Sequence, residues 1–146
     1  MSRVHFGCSV GRAQLYFQRM LAARQILGER GEAIAERFLV ARGWKILARR
    51  FRSGHRDIDL VAELFRASSR ERTVAFVEVK ARVSPDFGGP LGAVHWRKQR
   101  ELTKAARDWI GRFREAGDSY RFDVIGVIFG PGEPQIVHVE NAFLVK

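Results

Sequence analysis

Hydrophobic and polar positions change period along this chain, and the changes mark out its elements. From Ala13 a loose apolar stripe of Leu15, Phe17, Met20, Leu21, Ala22 and Ile26 runs among glutamines and arginines, which predicts a helix able to cover an edge. Residues 29–42 predict a clearer helix, with Ile34, Ala35, Phe38, Leu39 and Ala41 on one side and Gly43 placed as its C-terminal cap. The period then shortens. Residues 44–51, 57–60 and 76–80 are short runs rich in branched and aromatic side chains, the composition of strands that bury at least one face. The polar stretch 67–72 is too short for a crossover helix, so the second and third strands pair as an antiparallel hairpin.

Ser84-Pro85, Gly88-Gly89-Pro90 and Gly92 make 82–94 a loop, suited to lie as a flap over a bound strand. It is not a phosphate-cradling P-loop, because no Gly-Lys-Ser/Thr follows. Residues 95–115 return to helical spacing, with Leu102, Ala105, Ala106, Trp109 and Phe113 on the core side. Two further strands, 120–129 and 135–143, are joined by the turn Gly130-Pro131-Gly132-Glu133-Pro134. The expected fold is α/β, a mixed sheet flanked by helices in the order αβββαββ, with an extra helix before it. Residues 1–27 form a tail and accessory helix, and 28–146 form one domain without internal repeats.

Alternation along the strands places acids together. Asp57 and Asp59 share one face of the second strand, and Phe76, Glu78 and Lys80 one face of the third, leaving Ile58, Leu60, Val77 and Val79 toward the core. Unpaired carboxylates in a half-buried sheet cost several kcal/mol, and a divalent cation is the simplest compensation. Glu78-Val79-Lys80 alone also fits a solvated ion pair; the acids on the neighbouring strand shift the balance toward a site. At 100° per residue Glu32 falls on the border of its helix's apolar stripe, where it can look inward at the sheet or simply favour the first helical turn.

The 26 Lys and Arg against 16 Asp and Glu give a net charge of +10, which favours nucleic acid, anionic membrane or acidic protein as partner. Arg49, Arg50 and Arg52 around Phe51 run into a basic turn ending at Arg56, and these four arginines beside the acids could receive phosphates or form a solvated turn. Arg97, Arg100, Lys104, Arg107 and Arg114 form a basic stripe opposite the core side of the second long helix. Lys98 is the exception: it falls near the apolar side, where it needs an acidic or phosphate partner or must snorkel to solvent. Cys8 is the sole cysteine, so no internal disulfide or cysteine-based zinc site forms, and the four histidines lack metal-ligand spacing. No apolar run approaches the roughly 20 residues of a membrane span, and no secretory h-region is present, so the expected location is the cytoplasm, without membrane partners. The first 27 residues, with four arginines and no acid, also fit an organellar transit peptide.

Several separated motifs occur in one order: Gly28-Glu29-Arg30-Gly31-Glu32-Ala33-Ile34-Ala35, Asp57-Ile58-Asp59-Leu60-Val61-Ala62, Phe76-Val77-Glu78-Val79-Lys80-Ala81-Arg82, then Val94 with Lys98, Ala105-Ala106 and Arg121-Phe122-Asp123-Val124. From residue 28 to about 127 the chain resembles the restriction-endonuclease-like superfamily with its PD-(D/E)xK site. More closely it resembles the YraN family of bacterial proteins, which are similar to archaeal Holliday junction resolvases. Two departures stand out. Arg56-Asp57 replaces the usual Gly-Glu, and Ile58 rather than Pro precedes Asp59.

The resemblance implies a DNA-binding protein that, with Mg²⁺ or Mn²⁺, hydrolyses phosphodiester bonds, on branched or damaged DNA among its candidate substrates. It implies Asp59 and Glu78 as metal ligands, Glu32 as a direct or water-mediated ligand, and Lys80 orienting the attacking water. Arg49, Arg50, Arg52, Arg97, Lys98, Arg100 and Lys104 then position the DNA backbone. Pairing of two copies, as in resolvases of similar fold, is compatible with it. The rival readings are a nuclease-fold binding module without turnover, acting in repair or recombination, and a basic protein that binds RNA or ribosomes.

Overall fold

The computed structural model describes residues 9–83 and 94–144. The chain runs α1 (Ser9–Ala41), β1 (Lys45–Ser53), β2 (Arg56–Arg66), β3 (Glu71–Arg82), α2 (Trp96–Phe113), β4 (Ser119–Ile128) and β5 (Gln135–Phe143). The order expected from the periodicity is therefore observed. One sheet holds all five strands in sequence order, with β3 and β4 parallel and every other neighbouring pair antiparallel. A parallel pair needs a crossover, and α2 supplies it.

The helix stretches expected over 13–26 and 29–42 are one continuous helix, so residues 27 and 28 lie inside α1. Gly28 and Gly31 do not interrupt it, because a helix interior tolerates glycine at a cost of about 1 kcal/mol, which packing offsets. Strands β2 and β3 are longer than their apolar centres, extending through the pairs Phe65↔Arg72 and Arg66↔Glu71 to the turn 67–70. The flap expected over 82–94 lies outside the described residues for 84–93. Among the described residues, no helix is long and apolar enough to cross a membrane.

Each sheet face carries its own core. On the α1 side Ala35 and Leu39 pack with Leu60, Ala62, Ala75, Val77, Ile125 and Val127. On the α2 side Leu102, Ala105, Ala106 and Trp109 pack with Ile58, Val61, Val74, Phe76 and Phe122. A single core face containing both Ile58 and Leu60, as alternation predicts, is thus corrected: the two residues serve opposite layers. Asp123 is fully buried, but it is satisfied by Arg121, by His138 and by the Asn141 N–H, which tie β4 to β5.

Candidate metal and nucleic-acid site

The break in alternation builds the site. Phe51 pairs with Ile58 and Arg49 with Leu60, and between these pairs lie Arg50 and Asp59. Arg50 has a left-handed backbone, φ 48°, which an L side chain adopts at some cost. One such residue twists the ribbon, sending Phe51 and Ile58 to the α2 layer and Leu60 to the α1 layer.

The β2–β3 ladder ends at the same point. Its pairs run from Arg66↔Glu71 to Leu60↔Val77 and stop, and the Asp59 Oδ2 accepts the Val79 N–H at 2.7 Å. A side chain thus takes the donor that the next ladder rung would have used, which holds the carboxylate in the opening between the strands. Glu78 is mostly buried beside it: its Oε1 lies 3.5 Å from Lys98 Nζ, while its Oε2 is buried with no hydrogen-bond partner among the described residues. An orphaned buried carboxylate oxygen is costly unless a donor or cation reaches it.

The electrostatics follow from that placement. Burial, and then the charge of Glu78, push the Asp59 carboxyl up to about 7 against the pull of the Val79 N–H, with Glu32 adding to the rise and Lys98 opposing it. Burial raises Glu78 too, opposed by the charge and hydrogen bonding of Lys98 and by hydrogen bonding with Asp59, while Asp57 adds to the rise. Lys80, two residues along β3, is half-buried; burial lowers its pKa, as does Arg82, against the pull of Glu78. The two raised acids and the lowered lysine share one leading cause, burial that disfavours each charged form.

Glu32 stands at the margin. It pairs with Arg50 at 3.1 Å, and Glu29 shares the same guanidinium at 3.6 Å. Among the described residues no three acidic, histidine or cysteine side chains surround one point as metal ligands. The set Asp59, Glu78 and Glu32 is therefore brought together only in its first two members. Two carboxylates, one with an unsatisfied oxygen, still suit a Mg²⁺-sized ion, which keeps several waters and commonly takes one or two protein carboxylates.

The basic residues divide. Arg49 is held by Glu36 and Arg50 by Glu32 and Glu29, so this part of β1 braces α1. Arg52 is exposed and makes no ion pair among the described residues. Lys98 meets Glu78, the acidic partner its position calls for. Arg97, Arg100 and Lys104 stay exposed on α2, with Arg97 and Arg100 lying 5.4 and 5.7 Å from the centre of the exposed Trp96 ring. Sequence periodicity misses three features: the Val79 N–H, the left-handed Arg50 and the exposed indole. Only the last has a signal, a tryptophan opening a helix on its basic side.

Comparison with known proteins bears on the whole arrangement. The model of the uncharacterised protein family UPF0102 matches residues 31–127, which contain Glu32, Asp59, Glu78, Lys80 and Lys98. A UPF0102 protein of Geobacter metallireducens is 42% identical over 117 residues, covering 80% of this chain and 91% of the relative. One of Trichlorobacter lovleyi is 43% identical over 120 residues, covering 82% and 91%. A third, of Bifidobacterium longum, is 38% identical over 127 residues, covering 86% and 98%. The motifs from Gly31 onward, the αβββαββ order and this similarity along most of both chains agree: the chain belongs to family UPF0102, the YraN family.

Proposed function

We propose that this protein binds DNA and, with Mg²⁺ or Mn²⁺, hydrolyses phosphodiester bonds. The observation that carries this reading is the buried Asp59–Glu78 pair in the opening of the β2–β3 ladder, with Lys80 on the same strand. Asp59 and Glu78 would hold the ion, with Glu32 reaching it through water. When bound, the ion would polarise a phosphoryl oxygen and sharpen a water as nucleophile. The chain's own residues do the rest. Lys80, half-buried, holds an ammonium where charge develops and can orient the attacking water. Arg52, Arg97, Arg100 and Lys104 offer exposed cations to the backbone phosphates. Arg49 and Arg50 reach phosphate only by exchanging Glu36 and Glu32 for it.

The test is nicking of supercoiled DNA and cleavage of duplex, flapped and four-way substrates by pure protein in Mg²⁺, Mn²⁺ or EDTA. Metal-dependent cleavage that disappears in Asp59→Asn is the expected result. Cleavage that survives both EDTA and Asp59→Asn would place the chemistry elsewhere.

A second reading has its own support. Lys98 already neutralises Glu78 and Arg50 already holds Glu32, so the acids can be structural members of a DNA-binding module without turnover. Junction binding in EDTA with no cleavage in either metal would favour that module.

A further inference from the structure

Beyond the acid pair, the outer side of α2 forms an open groove of about 430 Å³ that is lined also by Leu144, the residue after β5. Its walls combine two chemistries. Trp96 and Leu144 are apolar and exposed, while Arg100, Lys104 and Arg107 supply guanidinium and ammonium groups; no acid lines the groove. An exposed tryptophan at the start of a helix serves no core: Trp96 is 54% exposed, whereas Trp44 and Trp109 are 7% and 4% exposed. The Arg97 and Arg100 guanidiniums lie over its ring, at 5.4 and 5.7 Å from the ring centre, so this apolar platform carries cations against its face, and a stacked base would take the place of one of them.

We infer that this groove receives an unpaired base of a DNA strand, stacked on Trp96, with the flanking phosphates on Arg100, Lys104 and Arg107. The charge is complementary to a polyanion, the volume suits a nucleotide, and base stacking on an exposed aromatic is the sequence-tolerant way to hold single strands. A protein or lipid partner fits less well. An acidic peptide needs no flat aromatic platform, and a membrane surface would be met by several apolar side chains in a plane rather than by one indole in a cleft. The inference rests on the DNA reading above and deepens it by naming the substrate feature. Trp96 and Lys98 belong to the same first turn of α2, and Lys98 touches Glu78. The groove lies across α2 from that contact, since residues two apart on a helix point to nearly opposite sides, and an unpaired base held there would mark DNA that is gapped, flapped or branched where it passes around the helix from the proposed chemistry.

The tryptophans make the test direct. Full-length protein is titrated in EDTA with a dT oligonucleotide, a blunt duplex of equal length and heparin, following tryptophan emission and, with labelled DNA, anisotropy. Only Trp96 is open to solvent among the three, so stacking should quench the emission with the single strand, and less with the duplex or heparin. Trp96→Ala should weaken single-strand binding about tenfold and duplex binding little, the loss expected for one stacked base. Trp96→Phe should restore most of it. Quenching by heparin or duplex as strong as by dT, or undiminished dT binding by Trp96→Ala, overturns the stacking site while leaving the metal reading intact. Failure of wild-type protein to bind any DNA removes both. EDTA keeps the outcome independent of the ion, so loss of cleavage with retained Trp96-dependent binding removes only the hydrolytic reading.

Discussion

Gly31 of α1 and Ala81 of β3 approach so closely that a Cβ on the glycine would fall 2.7 Å from the alanine Cβ. This close approach lies one residue from Glu32 on the helix and one from Lys80 on the strand, so it sets how near α1 comes to the acid pair. Gly31→Ala should therefore destabilise the fold by about 1–3 kcal/mol through overpacking, outweighing the roughly 1 kcal/mol that alanine gains in a helix. Gly28→Ala is the control: nothing lies within 4 Å of its Cβ position, so the same change should stabilise by about 0.5–1 kcal/mol. Urea denaturation of the two variants measures the difference. Equal effects of the same sign would show that the helix does not rest on Ala81 as described.

Asp59 predicts a pH dependence with a definite sign. Its pKa in the fold, about 7, lies above its unfolded value near 4, so the folded chain binds the proton more tightly. The stability this group contributes is fully present below about pH 4 and is lost as the pH rises to about 7. Burial is the largest cause, with Glu78 on β3 and Glu32 on α1 adding to the rise and the Val79 N–H and Lys98 on α2 opposing it. Asp59→Asn keeps an acceptor for the Val79 N–H and abolishes the titration. It should raise Tm above pH 7 in EDTA, by an amount on the order of a few kcal/mol in stability, and the gain should vanish near pH 4. The difference between the two melting curves is the proper readout, because Glu36, Glu101 and Asp118 are held below the usual carboxylate range by arginines and push stability the other way. Mn²⁺ should stabilise the wild type increasingly from pH 6 to 8, by about 2.7 kcal/mol at a hundredfold excess over Kd, and leave Asp59→Asn unmoved.

The first half of α1 should be dispensable for folding. From Gly11 to Ile26 the helix is exposed apart from a half-buried Met20, with Leu15, Tyr16, Phe17 and Leu21 all open to solvent, and its buried residues begin further along at Gly31 and Ala35. Removing residues 1–25 should leave a cooperative unfolding transition and an unchanged Mn²⁺ effect. Loss of cooperativity in calorimetry would mean that this segment carries packing that its exposure hides.

Much of the fold is legible in the sequence for a physical reason: periodicity bounds β5 correctly, and β4 and α2 to within a few residues, because their apolar periods are long and regular. The continuity of α1 through residue 27 is not legible. Gly28 and Gly31 look like punctuation until Ala81 is known to need the space that Gly31 leaves. Alternation brings Asp59 and Glu78 together correctly, yet it misassigns Ile58, since period-two reasoning assumes an unbroken ladder and Arg50 twists it. The basic run at β1 also looks uniform. Which of its arginines are engaged depends on Glu32 and Glu36, thirteen or more residues away, and no local pattern reveals that.

Binding and chemistry separate most cleanly at Glu78. In metal-free protein it is a buried acid, paired with Lys98, close to where a phosphate must come. Glu78→Gln removes a repulsive charge and frees Lys98, so DNA affinity in EDTA should hold or rise, while metal-dependent cleavage should collapse with the missing ligand. Replacing Arg97, Arg100 and Lys104 with Ala acts on the other term. These exposed cations displace counterions, so the triple variant should bind all DNA sequences more weakly, with the slope of log affinity against log salt reduced by up to about 0.9 for each phosphate that is no longer neutralised. Anisotropy at several salt concentrations distinguishes the two cases. If Glu78→Gln binds much more weakly than wild type while the triple variant binds normally, phosphate does not pass beside Glu78, and the site proposed between β2, β3 and α2 is wrongly placed.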